Sequence, residues 1–289
     1  MVDPLGEMLE SSWEAYATLF ANAKDEEALL DAIRKVVNST KLDLNAKAVV
    51  IYARDTRLPP PNLQRGANSD RPSGVPLSKS LADGLNAFEA EATDYGVQTT
   101  PQLHYLVRCL NTQGTNAPYG TPTEVGYYEK MATAFKQLMQ GKKKQSRLTV
   151  DCANGVGAPK LAEFLKYIGE DHLEIRIVNA DIHNPKKLNL QCGADYVKTQ
   201  QKFPPGSLLA PLERWCSLDG DADRLMYYYV DTDGLVRLLD GDKIASLCAM
   251  FVMDLVKAAG VEIKVGVVQT AYANGNSTSY LSKVLVPPH

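Results

Sequence analysis

Three aspartates alternate with small residues in Ser217-Leu-Asp-Gly-Asp-Ala-Asp-Arg224, placing Asp219, Asp221 and Asp223 two residues apart. In a locally extended segment, side chains two apart share a direction, so one short stretch could gather three hard oxygen ligands on one side. Gly220 would supply a backbone conformation closed to other residues. Three adjacent negative charges repel one another without a cation, and an all-oxygen donor set suits Mg²⁺ better than a softer metal. Arg224 follows directly, a fixed planar cation suited to a phosphate. The segment outlines a metal-assisted phosphate site. A calcium loop of the EF-hand kind needs Gly at its sixth position and Glu at its twelfth. Counted from Asp219 these positions hold Arg224 and Val230, which excludes it.

The elements around this loop follow from the residue pattern. Leu225-Met-Tyr-Tyr-Tyr-Val230 predicts a strand, and Asp233-Gly234 predicts the hairpin turn after it. Asp240-Gly-Asp242 precedes Lys-Ile-Ala-Ser-Leu-Cys and predicts a helix N-terminus, with the helix running from Lys243 to Ala259. Upstream, Leu148-Thr-Val-Asp-Cys152 predicts a strand that turns through Gly155 and Gly157 into a helix extending through Leu165. A dinucleotide-binding fingerprint would need a further Gly where Lys160 stands, so this is a structural turn. Glu174–Val178 predicts another strand.

In the first half, Trp13–Phe20 and Glu26–Val37 have helical spacing, with Ser12 a candidate cap, and Ala46–Tyr52 is a continuous apolar run, hence a buried strand. Arg54-Asp-Thr-Arg57 lies at its carboxyl end, where α/β sheets place ligand contacts. A helix over Leu77–Ala92, a short strand over Asp94–Gln98 and a helix over Glu124–Gln140 complete this half. His104 is expected to pack or position, not to act as a base. Ile263–Ala271 predicts a last strand, whose unpaired edge would be an aggregation liability.

With these residues in view, the chain resembles the α-D-phosphohexomutases, and among them the phosphoacetylglucosamine mutases. The resemblance rests on Asp219–Arg224 together with Val2-Asp-Pro-Leu-Gly-Glu-Met8, Ala53–Arg57, Thr99–Tyr105, Val150–Ala158, Cys192–Asp195 and Val267–Gly275, in the family's order. It implies interconversion of N-acetylglucosamine 6-phosphate and 1-phosphate through a phosphoserine and a sugar bisphosphate, on the route to UDP-N-acetylglucosamine. It also implies Mg²⁺ on Asp219, Asp221 and Asp223, with Arg224 an active-site cation and Arg54 a neighbour of the phosphoserine. The implied fold class is α/β: mixed-sheet phosphohexomutase-type domains, a partial first domain over 1–144, a near-complete second over 145–260 and the start of a third over 261–289.

Departures from the family pattern shape the expectation as much. The phosphoserine loop Thr-Ala-Ser-His-Asn-Pro occurs nowhere in the sequence, and His183-Asn184-Pro185 follows Asp-Ile instead. The third-domain Glu-Ala-Asn-Gly-His loop and the fourth domain are also expected to be missing, so the chain is expected to be truncated at both ends and inactive alone. Its alternative role is a non-catalytic Mg²⁺ and sugar-phosphate-binding or regulatory fragment, with a full-length mutase as candidate partner. Leu58–Arg71 interrupts the family's Arg-Asp-Thr-Arg-Pro-Ser run with a polar insert holding three consecutive prolines, expected to be an extended loop. A metal-dependent phosphatase would need a nucleophile or second metal set that the sequence does not offer.

Composition bounds the rest. The 289 residues have room for roughly two domains. Hydrophobic content of 45%, charge of 22% and net charge of −3 are ordinary for a soluble globular protein, with no electrostatic reason to expect nucleic acid. Lys142-Lys-Lys144 is expected to be a solvated interdomain segment. Five cysteines, odd in number and without metal-site spacing, are expected to be reduced and buried, Cys248 among them. No apolar run reaches the ~20 residues of a membrane span. No signal-peptide pattern is present either, which makes the cytoplasm the expected location.

Overall fold

Where the polar groups of each backbone segment find partners decides which expectations hold. The computed structural model describes residues 15–40, 47–55, 74–207, 209–263 and 265–285. Ser12, Thr56, Arg57 and the 58–71 insert lie outside the described residues. Helix α1 covers residues 15–21 and α2 covers Glu26–Thr40, whose first turn is held by Asp25 accepting from the Ala28 N–H at 2.8 Å.

Strand β1 (Val49–Arg54) pairs in parallel with β2 (Glu91–Val97), and α3 (Gly74–Ala87) lies between them in the chain. The helix expected to reach Ala92 stops at Ala87. Glu89 takes a left-handed φ of 53°, and Glu91 and Ala92 are claimed by pairing with Val49 and Val50. Ladder hydrogen bonds outweigh the helical preference of Glu-Ala-Glu-Ala. The apolar run of β1 is half-buried where a fully buried strand was expected, with Val49 exposed.

Helix α4 (Thr100–Thr112) was not expected, although its start signal is in the sequence. Thr99 caps it and forms a reciprocal capping box with Gln102, with Pro101 in the first turn. Tyr105, Leu106 and Cys109 form its buried face, and His104 lies on the exposed one, so the packing role expected of His104 does not hold. Helix α5 (Glu124–Met139) runs as predicted, capped by Thr123.

The second sheet has the order β4-β3-β5-β6-β7, from β3 (Gln145–Asp151), β4 (Leu173–Val178), β5 (Arg214–Leu218), β6 (Leu225–Val230) and β7 (Val236–Leu239). Strands β4, β3 and β5 are parallel, and β5, β6 and β7 form an antiparallel meander. The expected mixed α/β architecture is present. Successive residues face opposite sides of a strand. Accordingly Cys216 packs with Val150, Cys152 and Ala158 under α6 (Gly157–Ile168), while Trp215 and Tyr228 pack with Ala194 and Val197 of α7 (Gly193–Gln200). Fully burying a large apolar side chain such as Val150 or Val197 contributes on the order of 1.5–3 kcal/mol.

Helix α8 (Gly241–Ala259) begins at Asp240, whose carboxylate accepts from the Lys243 N–H at 3.1 Å, as predicted. Cys248 sits on its exposed side, contrary to expectation, while Cys109, Cys152, Cys192 and Cys216 are buried. The strand expected over Ile263–Ala271 does not form among the described residues, where the chain pairs with no neighbouring strand. Instead α9 (Gly275–Leu285) follows and packs on α8, with Asp242 accepting from the Asn274 N–H at 2.9 Å. No helix among the described residues is long and apolar enough to cross a membrane.

Candidate metal centre

Strand β5 ends at Leu218 and β6 begins at Leu225, and the six residues between them make a tight turn. The Ala222 N–H donates to the Asp219 carbonyl at 3.2 Å. The carboxylates are therefore gathered by a turn and not by an extended segment. The left-handed residue is Ala222, with φ 58°, and not Gly220. At Gly220 the constraint is space: a Cβ there would lie 3.1 Å from the Asn189 side-chain nitrogen, which would have to shift slightly to admit it. Gly155 faces it from the strand-to-helix turn after β3, where a Cβ would meet the Gly220 carbonyl oxygen at 2.4 Å. This close approach lets the Val156 N–H donate to that same oxygen at 3.1 Å. Alanine at 155 would have to displace the turn that carries the aspartates. The left-handed residues in the 152–157 turn are Ala153 and Asn154, while its glycines supply room.

One carboxylate oxygen each from Asp219, Asp221 and Asp223 lie within 4.8 Å of one another. Asp219 is 1% exposed and Asp221 6%, with Asp223 at the open edge. Asp219 accepts from the backbone N–H groups of Asp223 and Arg224 at 3.2 and 3.0 Å, and from Arg224 Nε and Nη2 at 3.0 and 2.7 Å. Burial, and then the neighbouring Asp221 carboxyl, push the Asp219 pKa up to about 6 against the opposing pull of Arg224. Three crowded acidic groups with only oxygen donors fit a hard divalent cation.

Arg224 Nη1 also donates to Asp195 Oδ1 at 2.5 Å, so the guanidinium bridges α7 and the turn. Sequence reasoning gave Asp195 no role, because the pair joins positions 29 residues apart. Arg54 stands at the end of β1 as predicted, where its Nη1 pairs with Asp94 Oδ2 at 3.2 Å. The turn thus brings together Asp219, Asp221, Asp223 and Arg224, while Arg54 is engaged on β2.

Beneath the turn lies Asp151, fully buried at the end of β3. Its Oδ1 accepts from Ala153 N and Asn179 Nδ2 at 3.0 and 2.9 Å, and its Oδ2 from Gly193 N and Ser217 Oγ, both at 2.7 Å. One carboxylate ties the carboxyl end of β3 to the residue after β4, the start of α7 and the strand leading into Asp219. Burial, and then Asp151, push Cys192 and Cys216 up to about 12 and raise Cys152 as well. These thiols stay protonated and inert near neutral pH.

The fold whose five-stranded sheet carries this three-aspartate turn between β5 and β6 is similar to solved structures of the α-D-phosphohexomutase superfamily. One member, an N-acetylglucosamine-phosphate mutase in its substrate complex, matches with TM-score 0.71 at 42% identity over 98% of this chain and 51% of that one. The family descriptions "Phosphoacetylglucosamine mutase AMG1, domain II" and "domain III" match residues 116–226 and 240–288. The phosphoacetylglucosamine mutase of Sus scrofa is 45% identical over 292 residues, covering 100% of this chain and 50% of the relative. That of Candida albicans is 41% identical over 304 residues, covering 100% and 53%. The Aspergillus fumigatus N-acetylphosphoglucosamine mutase in complex with GlcNAc-6P and magnesium matches with TM-score 0.73 at 52% identity, over 94% of this chain and 51% of that one. The chain belongs to the phosphoacetylglucosamine mutase family. It spans about half the length of the curated relatives it matches.

Proposed function

We propose that these residues form the metal-binding part of a phosphoacetylglucosamine mutase, which interconverts N-acetylglucosamine 6-phosphate and 1-phosphate through a sugar bisphosphate. The observation that carries this reading is the convergence of Asp219, Asp221 and Asp223 within 4.8 Å, with Arg224 beside them. Those three carboxylates would hold Mg²⁺, which when bound neutralises charge on the transferring phosphoryl group and aligns it for in-line attack. Asp195 and Asp219 fix the plane of the Arg224 guanidinium from two sides. Its side chain stays half-exposed, at 53%, so a substrate phosphate can approach it from solvent. Arg54 is the second cation of this reading, released from Asp94 when a phosphate is near.

The reaction also needs a phosphoryl-bearing serine, and the family's Thr-Ala-Ser-His-Asn-Pro loop is not among these 289 residues. The 289-residue chain is therefore expected to bind Mg²⁺ and to show no turnover by itself, since losing a covalent nucleophile removes many orders of magnitude in rate. Calorimetric titration with MgCl₂, paired with a mutase assay primed by sugar bisphosphate, checks both. Absence of saturable Mg²⁺ binding would overturn the metal reading. Turnover that disappears in Asp221→Ala would overturn the serine assignment and require another phosphoryl acceptor within the chain. The chain would also associate with a full-length mutase, an interaction that failure to co-purify with that enzyme would rule out.

A further inference from the structure

We infer that Thr100, the first residue of α4, is a positioning residue that orients the Asp221 carboxylate for its cation, an inference that rests on the metal reading above. Thr100 Oγ1 donates to Asp221 Oδ2 at 2.8 Å, and its backbone N–H donates to the Asp221 carbonyl at 3.3 Å. One residue thus grips both the side chain and the main chain of a residue 121 positions away. The grip falls where the turn needs it, next to the left-handed Ala222. A non-glycine residue in that conformation persists only when its surroundings over-determine it.

Thr100 is itself held from behind. The Thr99 hydroxyl accepts from the Gln102 N–H at 3.3 Å, and the Gln102 side-chain oxygen accepts from the Thr99 N–H at 3.0 Å. Gln102 Nε2 donates to the Tyr128 hydroxyl at 3.1 Å, which donates to Glu124 Oε1 at 2.6 Å. Lys160 of α6 donates to Glu124 Oε2 at 2.7 Å. Helices α4 and α5 are therefore latched to the helix that covers the five-stranded sheet, and the Thr100 hydroxyl arrives at the turn from a fixed direction. Because Asp221 is the acceptor, the residue at 100 must carry an O–H, which serine retains and valine lacks.

Partners that orient a metal ligand typically control affinity by about 10–100-fold. In Mg²⁺ calorimetry on the 289-residue chain, Thr100→Val is expected to weaken binding by about that factor and Thr100→Ser to keep wild-type affinity. The urea midpoint of each variant, measured without metal, separates orientation from folding: a purely structural role would lower affinity only in step with stability. Should Thr100→Val fail to fold, Thr100→Ala carries the same expectation. Unchanged affinity in the variant lacking the hydroxyl, or equal loss in it and in Thr100→Ser, overturns the inference while leaving the metal reading intact. A wild-type chain that binds no Mg²⁺ sinks the metal reading, and this inference with it.

Discussion

Asp221→Asn is expected to weaken Mg²⁺ binding at least about 100-fold while making the metal-free protein more stable at neutral pH. Asparagine keeps an oxygen for the Thr100 hydroxyl, so the substitution removes charge with little change of shape. A pair of unit charges ~4 Å apart is worth about 4 kcal/mol at an effective dielectric of ~20. Mg²⁺ carries two charges, and the cost of stripping its water offsets part of the gain. A net loss near 3 kcal/mol corresponds to the ~100-fold stated. The metal-free effect has the opposite sign. Asp219 has its pKa raised from 3.8 to about 6. Between those values the folded state keeps a proton that the unfolded chain has released, so stability falls as pH rises through the window and the penalty is complete above it. Removing the Asp221 charge removes one cause of the shift. Urea titrations in EDTA should therefore find the variant stabler than wild type at about pH 7.5, with the gap closing toward about pH 4. Retained Mg²⁺ affinity would dismiss Asp221 as a ligand. A gap that does not change with pH would dismiss the crowding of the two carboxyls.

Asp151→Ala should cost about 3–5 kcal/mol of folding stability. The carboxylate is fully buried and accepts four hydrogen bonds, from Ala153, Asn179, Gly193 and Ser217. Truncation leaves the Ala153 and Gly193 N–H groups without this acceptor in the core, while Ser217 keeps the Tyr228 hydroxyl at 3.0 Å, and each buried orphan costs ~1–3 kcal/mol before any relaxation. Against a total stability of roughly 5–15 kcal/mol for a domain, this is a large fraction. Denaturation monitored by Trp215 fluorescence gives the number directly, because that residue is buried on β5. A loss below about 1 kcal/mol would mean that the four elements are held by their apolar packing and not through Asp151.

The sequence made the aspartate cluster, the β6–β7 hairpin and the helices α5 and α8 legible, because each depends on residues a few positions apart. The capping box of α4, in Thr99-Thr-Pro-Gln102, is equally local. Glu91 and Ala92 could not be assigned from propensity, because only their partners Val49 and Val50 turn them into a strand. The residues over Ile263–Ala271 likewise pair with no strand among the described residues. Thr100, Asp151 and Asp195 escaped for a geometric reason: their partners lie 121, 66 and 29 positions away, and nothing in the local pattern points to them. Asp219, Asp221 and Asp223 do converge, but through a left-handed Ala222 that no alternation rule anticipates.

The meander β5-β6-β7 has a consequence for the order in which the chain assembles. Its strands are consecutive and joined by short turns, so its contacts close small loops. The grip of Thr100 on Asp221 closes one of 121 residues, and the entropic cost of closure rises with loop length. Contacts of low sequence separation form first, so the nascent carboxylate turn takes shape before its orienting hydroxyl docks. Folding kinetics should then give low φ-values at Thr100 and higher ones along β6 and β7. The last native contact made would be the one that readies the acidic turn for its cation.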